Sequence, residues 1–396
     1  MTIWIIEPRD PLIVRDGRPF GPNPGARARS LAFPFPSTTT GAVRTSAGLN
    51  EQGHFTASPE EMGRLAVRGP LLVELNDQEG EIADWLAPAP ADALLFQEAD
   101  ERQATIKPLV PLQLFAGAQT NLPDGLALVG LPGPNPAKPH PKAPRFWFWG
   151  AFERWLIGPV ERPRVPLKEL GHSGPEPEYR MHVSIAADTL TGVEGALFQT
   201  NGLEFTHPAP DSQRHLSTPR RLALAVVVKD DAKQPREGLA PFGGERRLAT
   251  WRQSCRALPV CPPKVRQAIV EQGHCRLILL TPAIFAGGYR PAWAGQPADG
   301  VTLSLAAIAM QRAQVVSGWD YTLNNGHGGP KPTRKVAPAG TVLFLKLSGS
   351  PEAIGAWVDR HWLTCVSDGD QDQCDGFGMA ALGTWDGKPH PMEDAP

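Results

Sequence analysis

At 396 residues with a net charge of −2, the chain is long enough for two ordinary domains and too evenly balanced in charge for a disordered polyelectrolyte or a histone-like basic protein. Hydrophobic residues make up 41% and charged residues 20%, a globular balance, while 43 Pro and 40 Gly imply many turns and long connections. The longest apolar run, Leu222 to Val228, falls well short of the roughly 18 residues of a membrane span, so no bilayer crossing is expected.

In the N-terminal half, Trp4 to Ile6 reads as a strand, and Glu7 interrupts the apolar run before a signal-peptide core could form. A cytoplasmic protein is expected. Ser37 can N-cap a helix running through Val43 to about Leu49. Leu71 to Leu75 is a second strand, and the Pro-rich stretches Leu86 to Pro90 and Leu131 to Pro144 read as surface loops. Phe146 to Leu156 is aromatic-rich and fits either helix or strand. A boundary near residue 200 gives two halves, 1–200 and 201–396.

The C-terminal half alternates β-branched runs with amphipathic stretches bounded by Pro and Gly. Strands are expected at Leu222 to Lys229, Arg276 to Leu280, Thr341 to Leu347 and Phe377 to Trp385. Helices are expected at Pro262 to Gln272 and Pro351 to Leu363, each opened by Pro and carrying apolar residues at helical spacing. Two helices crossing a four-stranded antiparallel sheet is an α+β, ferredoxin-like βαββαβ pattern, also used by RNA-recognition modules.

The near-neutral total hides local asymmetry. From Arg214 to Arg266 there are twelve Lys/Arg against four acids, a local net of +8, whereas from Ser367 onward seven acids face one Lys. A basic middle suits an anionic partner. The five Cys are odd in number and dispersed, giving neither a disulfide scaffold nor a zinc ribbon.

Catalytic signatures are absent: no His-Glu-x-x-His, no phosphate loop, and a Gly171-His172-Ser173-Gly174 run that lacks the final Gly of a nucleophile elbow. Asp368, Asp370 and Asp372 alternate as in a calcium loop, but Gln373 and Met379 replace the Gly and Glu that such a loop requires, leaving an acidic solvated loop. His327 sits in Asn324-Asn325-Gly326-His327-Gly328-Gly329, where it could act as the general base of a metal-independent ribonuclease, with no visible acid or Lys partner. No metal or cofactor is expected.

Four segments combine Arg, Gly and hydroxyl residues. Asp10 to Phe20 places Arg15 and Arg18 around an Asp-Gly turn, with Arg27 and Arg29 following on a Gly/Pro-rich loop. Phe33-Pro34-Phe35-Pro36-Ser37-Thr38-Thr39-Thr40-Gly41-Ala42-Val43-Arg44 opens a helix whose free N–H groups could receive a phosphate. The third is Phe242-Gly243-Gly244-Glu245-Arg246-Arg247, and the fourth is Asp375-Gly376-Phe377-Gly378, a glycine-rich turn entering the last strand. Each alone also fits tight turns, caps and solvated Arg.

In this order, and with Glu194-Gly195-Ala196-Leu197-Phe198 between them, the segments resemble the RAMP superfamily of CRISPR effector proteins, and within it the third-subunit family of the type III-B Cmr complex. The resemblance covers nearly the whole chain. It implies two ferredoxin-like domains with long Pro/Gly-rich insertions and a non-catalytic subunit. Such a subunit contacts the 5′ repeat handle of the CRISPR RNA, docks on the polymerase/cyclase-like large subunit and adjoins the backbone RAMP subunits. Single-stranded RNA needs cations and backbone N–H groups for its phosphates. Candidate RNA-binding or docking residues are therefore Arg15, Arg18, Arg27, Arg29, Ser37, Thr38, Gly41, Arg44, Gly243, Gly244, Arg246 and Arg247. His327, Lys331, Arg334, Lys335, Gly376, Phe377 and Gly378 complete the set. Rival readings are a RAMP endoribonuclease that processes repeat RNA, and a protein-docking subunit that touches little RNA.

Overall fold

The computed structural model describes residues 1–15, 27–28, 30–76, 79–115, 117–135, 137–207, 220–229, 233–320, 323–324 and 327–392. The chain forms two units built from interleaved segments. The first comprises Met1–Ala83, Gly174–Arg256 and Val315–Arg334; the second comprises Asp84–Ser173, Ala257–Gln314 and Lys335–Pro396. The sequence boundary at residue 200 does not coincide with this division, because it falls inside a strand of the first unit.

In the first unit, strand β1 (Thr2–Pro8) is followed by helix α1 (Pro36–Ala47), the short α2 (Pro59–Arg64) and β2 (Val67–Leu75). A long two-stranded hairpin, β3 (Glu176–Ile185) and β4 (Gly192–Glu204), precedes β5 (Arg220–Val228), β6 (Gly238–Pro241) and β7 (Leu248–Ser254). The main sheet runs β2-β5-β1-β7-β6 with every neighbour antiparallel; Trp4 lies opposite Val226 on one side and Gln253 on the other. The four long strands thus stand in the order second, third, first, fourth.

The seven residues Leu222–Val228 are all buried, as an apolar run inside a central strand must be. This strand was expected to start the C-terminal sheet. It instead supplies the third strand of the N-terminal one, because its apolar pattern is equally at home at the centre of either. Between β5 and β7 the described residues hold no α-helix, only β6 and a 3₁₀ turn.

Helix α1 starts two residues earlier than its hydroxyls suggest. Phe35 is the N-cap, Pro36 takes the first helical position, and Ser37 lies inside the first turn rather than capping it. Pro favours this position because its missing N–H would be unpaired there anyway. Thr39, Thr40 and Val43 are buried, and the helix packs against β2. The guanidinium of Arg44 bonds to the carbonyls of Gly63 (2.9 Å) and Leu65 (3.0 Å), closing the end of α2. Across the sheet, the buried Glu7 carboxylate accepts from Arg252 Nη1 (2.8 Å) and Arg221 Nη1 (3.3 Å), linking β1, β5 and β7.

In the second unit, Phe146–Phe148 forms a short strand that leads directly into α3 (Trp149–Ile157), so the aromatic segment is both of its expected alternatives in turn. The strand pairs with Ile82–Pro88, which corrects the loop expected at Leu86 to Pro90. Then come α4 (Pro263–Gln272), β8 (His274–Leu279), β9 (Val301–Ala309), β10 (Val342–Ser348), α5 (Pro351–His361) and β11 (Met379–Gly383). The core strands run β9-β10-β8-β11, all antiparallel, again in the order second, third, first, fourth.

Both helices obey their sequence signals: Pro263 opens α4 and the left-handed Gly273 (φ 69°) ends it, while Ser350 caps α5 by accepting from Ala353 N. Arg266 on α4 holds Asp359 on α5 in a two-pronged bond of 2.8 and 2.9 Å.

Strand β8 carries a charge through the core of this unit. Arg276 and Asp92 are each 1% exposed and bonded to one another. The remaining guanidinium donors reach Trp155 O (2.6 Å) and Thr384 O (2.7 Å), and the other Asp92 oxygen accepts from Trp155 Nε1 (2.9 Å). The network is satisfied on both sides, which is the condition for burying such a pair. Arg276→Ala is expected to lower unfolding free energy by about 3–5 kcal/mol, leaving Asp92 as an unpaired buried charge. Arg276→Met with Asp92→Leu should recover much of that loss in chemical denaturation; a double variant as unstable as the single one would contradict the account.

All five cysteines are free. Burial pushes the Cys261 thiol up to about 11, and the Asp359 carboxylate adds to the effect. Cys275, wholly buried, is also pushed up by desolvation. Because the thiolate is the reactive form, alkylation near pH 8 should mark the exposed Cys255 first, with Cys261 following only as pH approaches its raised value. Mass spectrometry of labelled peptides reads this, and equal labelling of the two at pH 8 would refute it.

Candidate nucleic-acid interface

Two of the Arg/Gly segments, more than 200 residues apart, meet in the first unit. Leu12 N donates to Leu203 O (2.8 Å) and Leu203 N back to Leu12 O (2.8 Å), and Leu31 N donates to Val14 O (2.7 Å). Arg15 is exposed and bridges to Ser30. Gly244 N donates to Ile13 O at 2.7 Å. A Cβ on Gly243 would stand 2.7 Å from that same carbonyl and 2.7 Å from Leu12 Cδ1. Asp10 completes the seam by accepting from Leu248 N (3.1 Å). The backbone of Arg27 joins through a parallel pairing with Gln199 on β4. Arg18 and Arg29 lie outside the described residues, as does the side chain of Arg27.

The turn at this seam is unusual. Gly243, Glu245 and Arg246 all have positive φ (81°, 56° and 55°), and a non-glycine residue in that region carries strain of the order of 1 kcal/mol. Phe242 anchors the turn: it is buried, its ring meets Trp251 edge-on, and its N–H donates to Arg247 O (2.7 Å). The result presents Arg246 to solvent with no partner for its guanidinium among the described residues. Arg247 turns inward, is mostly buried and pairs with Glu245 at 3.6 Å. The two adjacent Arg therefore have different environments, one open and one internal.

The α1 residues are distributed likewise. Ser37 and Thr38 are half-buried in the first turn, and Gly41 is exposed with open space where its Cβ would be. Arg44 is engaged by the end of α2, as described above.

A second hairpin of the first unit carries His327 and Lys331. Trp319 pairs with Pro330 and Asp320 with Gly329, and Lys331 N donates to Gly318 O (2.8 Å). His327 is exposed in the connecting turn, and its imidazole has no carboxylate partner among the described residues. Arg334 is exposed at the end of this segment. Lys335, also exposed, begins the next segment of the second unit.

The closing glycine turn departs from its expected role. Gly376, Phe377 and Gly378 are all buried. Thr281 Oγ1 donates to Gly376 O (2.7 Å), and a Cβ on Gly378 (φ 86°) would stand 2.8 Å from Ser367 N. The glycines let this turn pack against its own unit instead of facing outward. The adjoining acids are structural too: Asp368 accepts from Ala286 N (2.7 Å) and Ala292 N (2.9 Å), and Asp372 and Asp375 are buried, in contrast to the solvated loop expected.

Sequence reasoning missed one exposed surface. On hairpin β3–β4, Tyr179, Met181, Val183 and Ile185 alternate along one face, with Leu197 opposite Val183. All five are exposed, Met181 at 64%. The signal is the period-two alternation of these apolar residues with Arg180, His182 and Ser184. The opposite face is tied down by His182 stacked on Phe198 and bonded to Thr200 Oγ1 (2.9 Å).

The family model for CRISPR-associated protein (Cas_Cmr3) matches residues 4–385. The chain belongs to this family. This Cmr3-like chain is similar to a chain of the cryo-EM structure of the Type III-B Cmr-beta bound to cognate target RNA, with 15% identity, 86% of each chain covered and a TM-score of 0.43. A second structure, of Cmr-beta bound to cognate target RNA and AMPPnP in state 1, gives 14% identity, the same coverage and a TM-score of 0.42. No curated protein matches the chain. Among the described residues, no helix is long and apolar enough to cross a membrane.

Two glycines of this Cmr3-like chain should respond oppositely to the same substitution. Gly243→Ala is expected to cost about 1–3 kcal/mol, because it adds a Cβ to a left-handed residue facing a carbonyl. Gly41→Ala should instead raise stability by up to about 1 kcal/mol, since the helix gains a better former in open space. Thermal unfolding of the two variants compares them directly; a stable Gly243→Ala protein would show that the seam is not needed.

Proposed function

We propose that this Cmr3-like chain is a non-catalytic, RNA-binding scaffold subunit of a type III-B CRISPR effector complex in the cytoplasm. In this reading it holds the 5′ repeat handle of the CRISPR RNA, docks on the polymerase/cyclase-like large subunit and adjoins the backbone RAMP subunits. The family match over residues 4–385 carries the assignment. Both sheets order their long strands second, third, first, fourth, which supports reading each unit as ferredoxin-like, the first with no second helix among its described residues and the second taking its first helix ahead of the first strand.

The seam between Leu12–Arg15 and Gly243–Arg247 supports an RNA-facing role on physical grounds. It combines rigid backbone, exposed Arg15 and an Arg246 with no partner among the described residues, the elements a single-stranded phosphate chain requires. Arg18, Arg27, Arg29, Lys331, Arg334 and Lys335 remain candidates for the same polyanion. The apolar face of hairpin β3–β4 suits protein docking, which needs desolvated side chains more than charge. His327, without an acid partner among the described residues, supports RNA contact better than proton transfer.

Incubation with labelled repeat RNA is expected to retain the RNA uncut, with or without His327→Ala. If four to six phosphates are engaged, affinity should fall with salt at a log–log slope of about −3 to −4. Arg15→Ala combined with Arg246→Ala should make that slope shallower by about 1.4, two contacts at about 0.7 each. Metal-independent fragments that vanish in His327→Ala would replace this reading with the ribonuclease, and a flat salt response would favour a pure docking subunit.

A further inference from the structure

A second cluster of guanidinium groups lies on the first unit's sheet, assembled from three strands around one acid. Glu7 is the last residue but one of β1, its side chain 6% exposed, and Arg252 of β7 and Arg221 of β5 donate to its two oxygens. Arg9 brings a third guanidinium to 3.9 Å from Glu7 Oε2, too far for a hydrogen bond. These side chains are 22%, 28% and 52% exposed in that order, so the cluster opens toward solvent through Arg9.

The charges do not balance. One carboxylate serves three permanently charged groups. Other described acids have partners of their own: Glu81 receives Ser254 Oγ, Ile82 N and Cys255 N, Glu74 pairs with Arg220, and Asp10 receives Leu248 N. Among the described residues that interact with the three guanidinium groups, Glu7 and Glu81 supply two negative charges against three positive ones.

The guanidinium groups are also held in place. Arg252 Nε donates to Gly80 O (3.1 Å) and Arg221 Nη2 to Asn76 O (3.0 Å), while Arg9 Nε donates to Thr250 Oγ1 (2.7 Å). Gly80 (φ 66°) closes over them so tightly that a Cβ there would stand 2.8 Å from Arg252 Nη2 and 3.3 Å from Arg221 Nη2. Both terminal nitrogens of Arg9 have no hydrogen-bond acceptor among the described residues. Preorganised donors with excess positive charge are what an oxyanion of phosphate geometry requires.

We propose that Arg9, Arg221 and Arg252 form a phosphoryl-binding site, filled by a backbone phosphate of single-stranded RNA, with Glu7 as an internal carboxylate that competes with the phosphate for the same guanidinium groups. The RNA source rests on the scaffold reading above; the phosphoryl chemistry does not.

Four full-length proteins test it: wild type, Arg9→Gln, Glu7→Gln, and Arg15→Ala with Arg246→Ala as a comparison. Each is titrated into a fluorescein-labelled single-stranded repeat RNA, with inorganic tripolyphosphate as competitor and as a separate ligand in thermal shift. Arg9→Gln is half-exposed in its side chain and should fold normally. It is expected to weaken RNA and tripolyphosphate binding by about tenfold, the scale of one charge-assisted hydrogen bond, and to reduce the salt slope by about 0.7. Glu7→Gln should tighten both, an effect in the opposite direction to that of a purely structural carboxylate.

Unchanged RNA and tripolyphosphate binding in Arg9→Gln, with RNA binding lost in the Arg15/Arg246 protein, overturns this site while leaving the scaffold reading intact. Tripolyphosphate binding that follows the expected signs without RNA binding keeps the site, assigns it to a free phosphate and counts against the RNA reading. Wild-type protein that binds neither ligand overturns the proposal outright.

Discussion

The hydrogen bond from Gly244 N to Ile13 O holds the candidate interface together. It forms only because Gly243 has no side chain: a Cβ there would press on the same carbonyl and on Leu12. From this contact follow the left-handed Glu245 and Arg246, the outward guanidinium of Arg246 and the inward one of Arg247. Strain at that turn is held by the buried Phe242 ring and by the strand pairing of Leu248 onward with β6 and β1. A scaffold that positions a flexible polyanion gains from such rigidity, since ordering costs are then met during folding and not during binding.

Much of the fold was legible in local chemistry. Pro at the first helical turn marked α4 and α5, the Ser37 hydroxyl marked α1 to within two residues, and Gly273 marked a helix end. Strands β8, β10 and β11 lie where their β-branched runs placed them, with ends shifted by a residue or two. What local chemistry could not convey was membership. Leu222–Val228 is an unambiguous buried strand, yet nothing within it says which sheet it joins.

The candidate site was readable to a similar depth. Gly243 and Arg246 stood out as a short motif, and both have backbone geometry that explains it. Gly376 and Gly378 looked alike on paper, but their freedom serves internal packing. A glycine-rich turn reports that backbone comes close to something; whether that is a ligand or the protein itself depends on burial. Arg44 illustrates the same limit, since its partners are carbonyls about twenty residues away. The Glu7 cluster and the Arg276–Asp92 pair depend on strand register across long sequence separations, and no short motif carries that information.

The interleaving of the two units has a consequence for biosynthesis. Strand β1 leaves the ribosome first, but its two partners in the sheet end at Val228 and Ser254. The Val315–Arg334 segment of the same unit arrives later still. Loop closure over such separations is slow, so the nascent chain exposes the apolar residues of β1 through most of its elongation. A chain stopped before Arg334 therefore lacks part of the first unit, and one stopped before Leu248 leaves an edge of β1 without its partner strand.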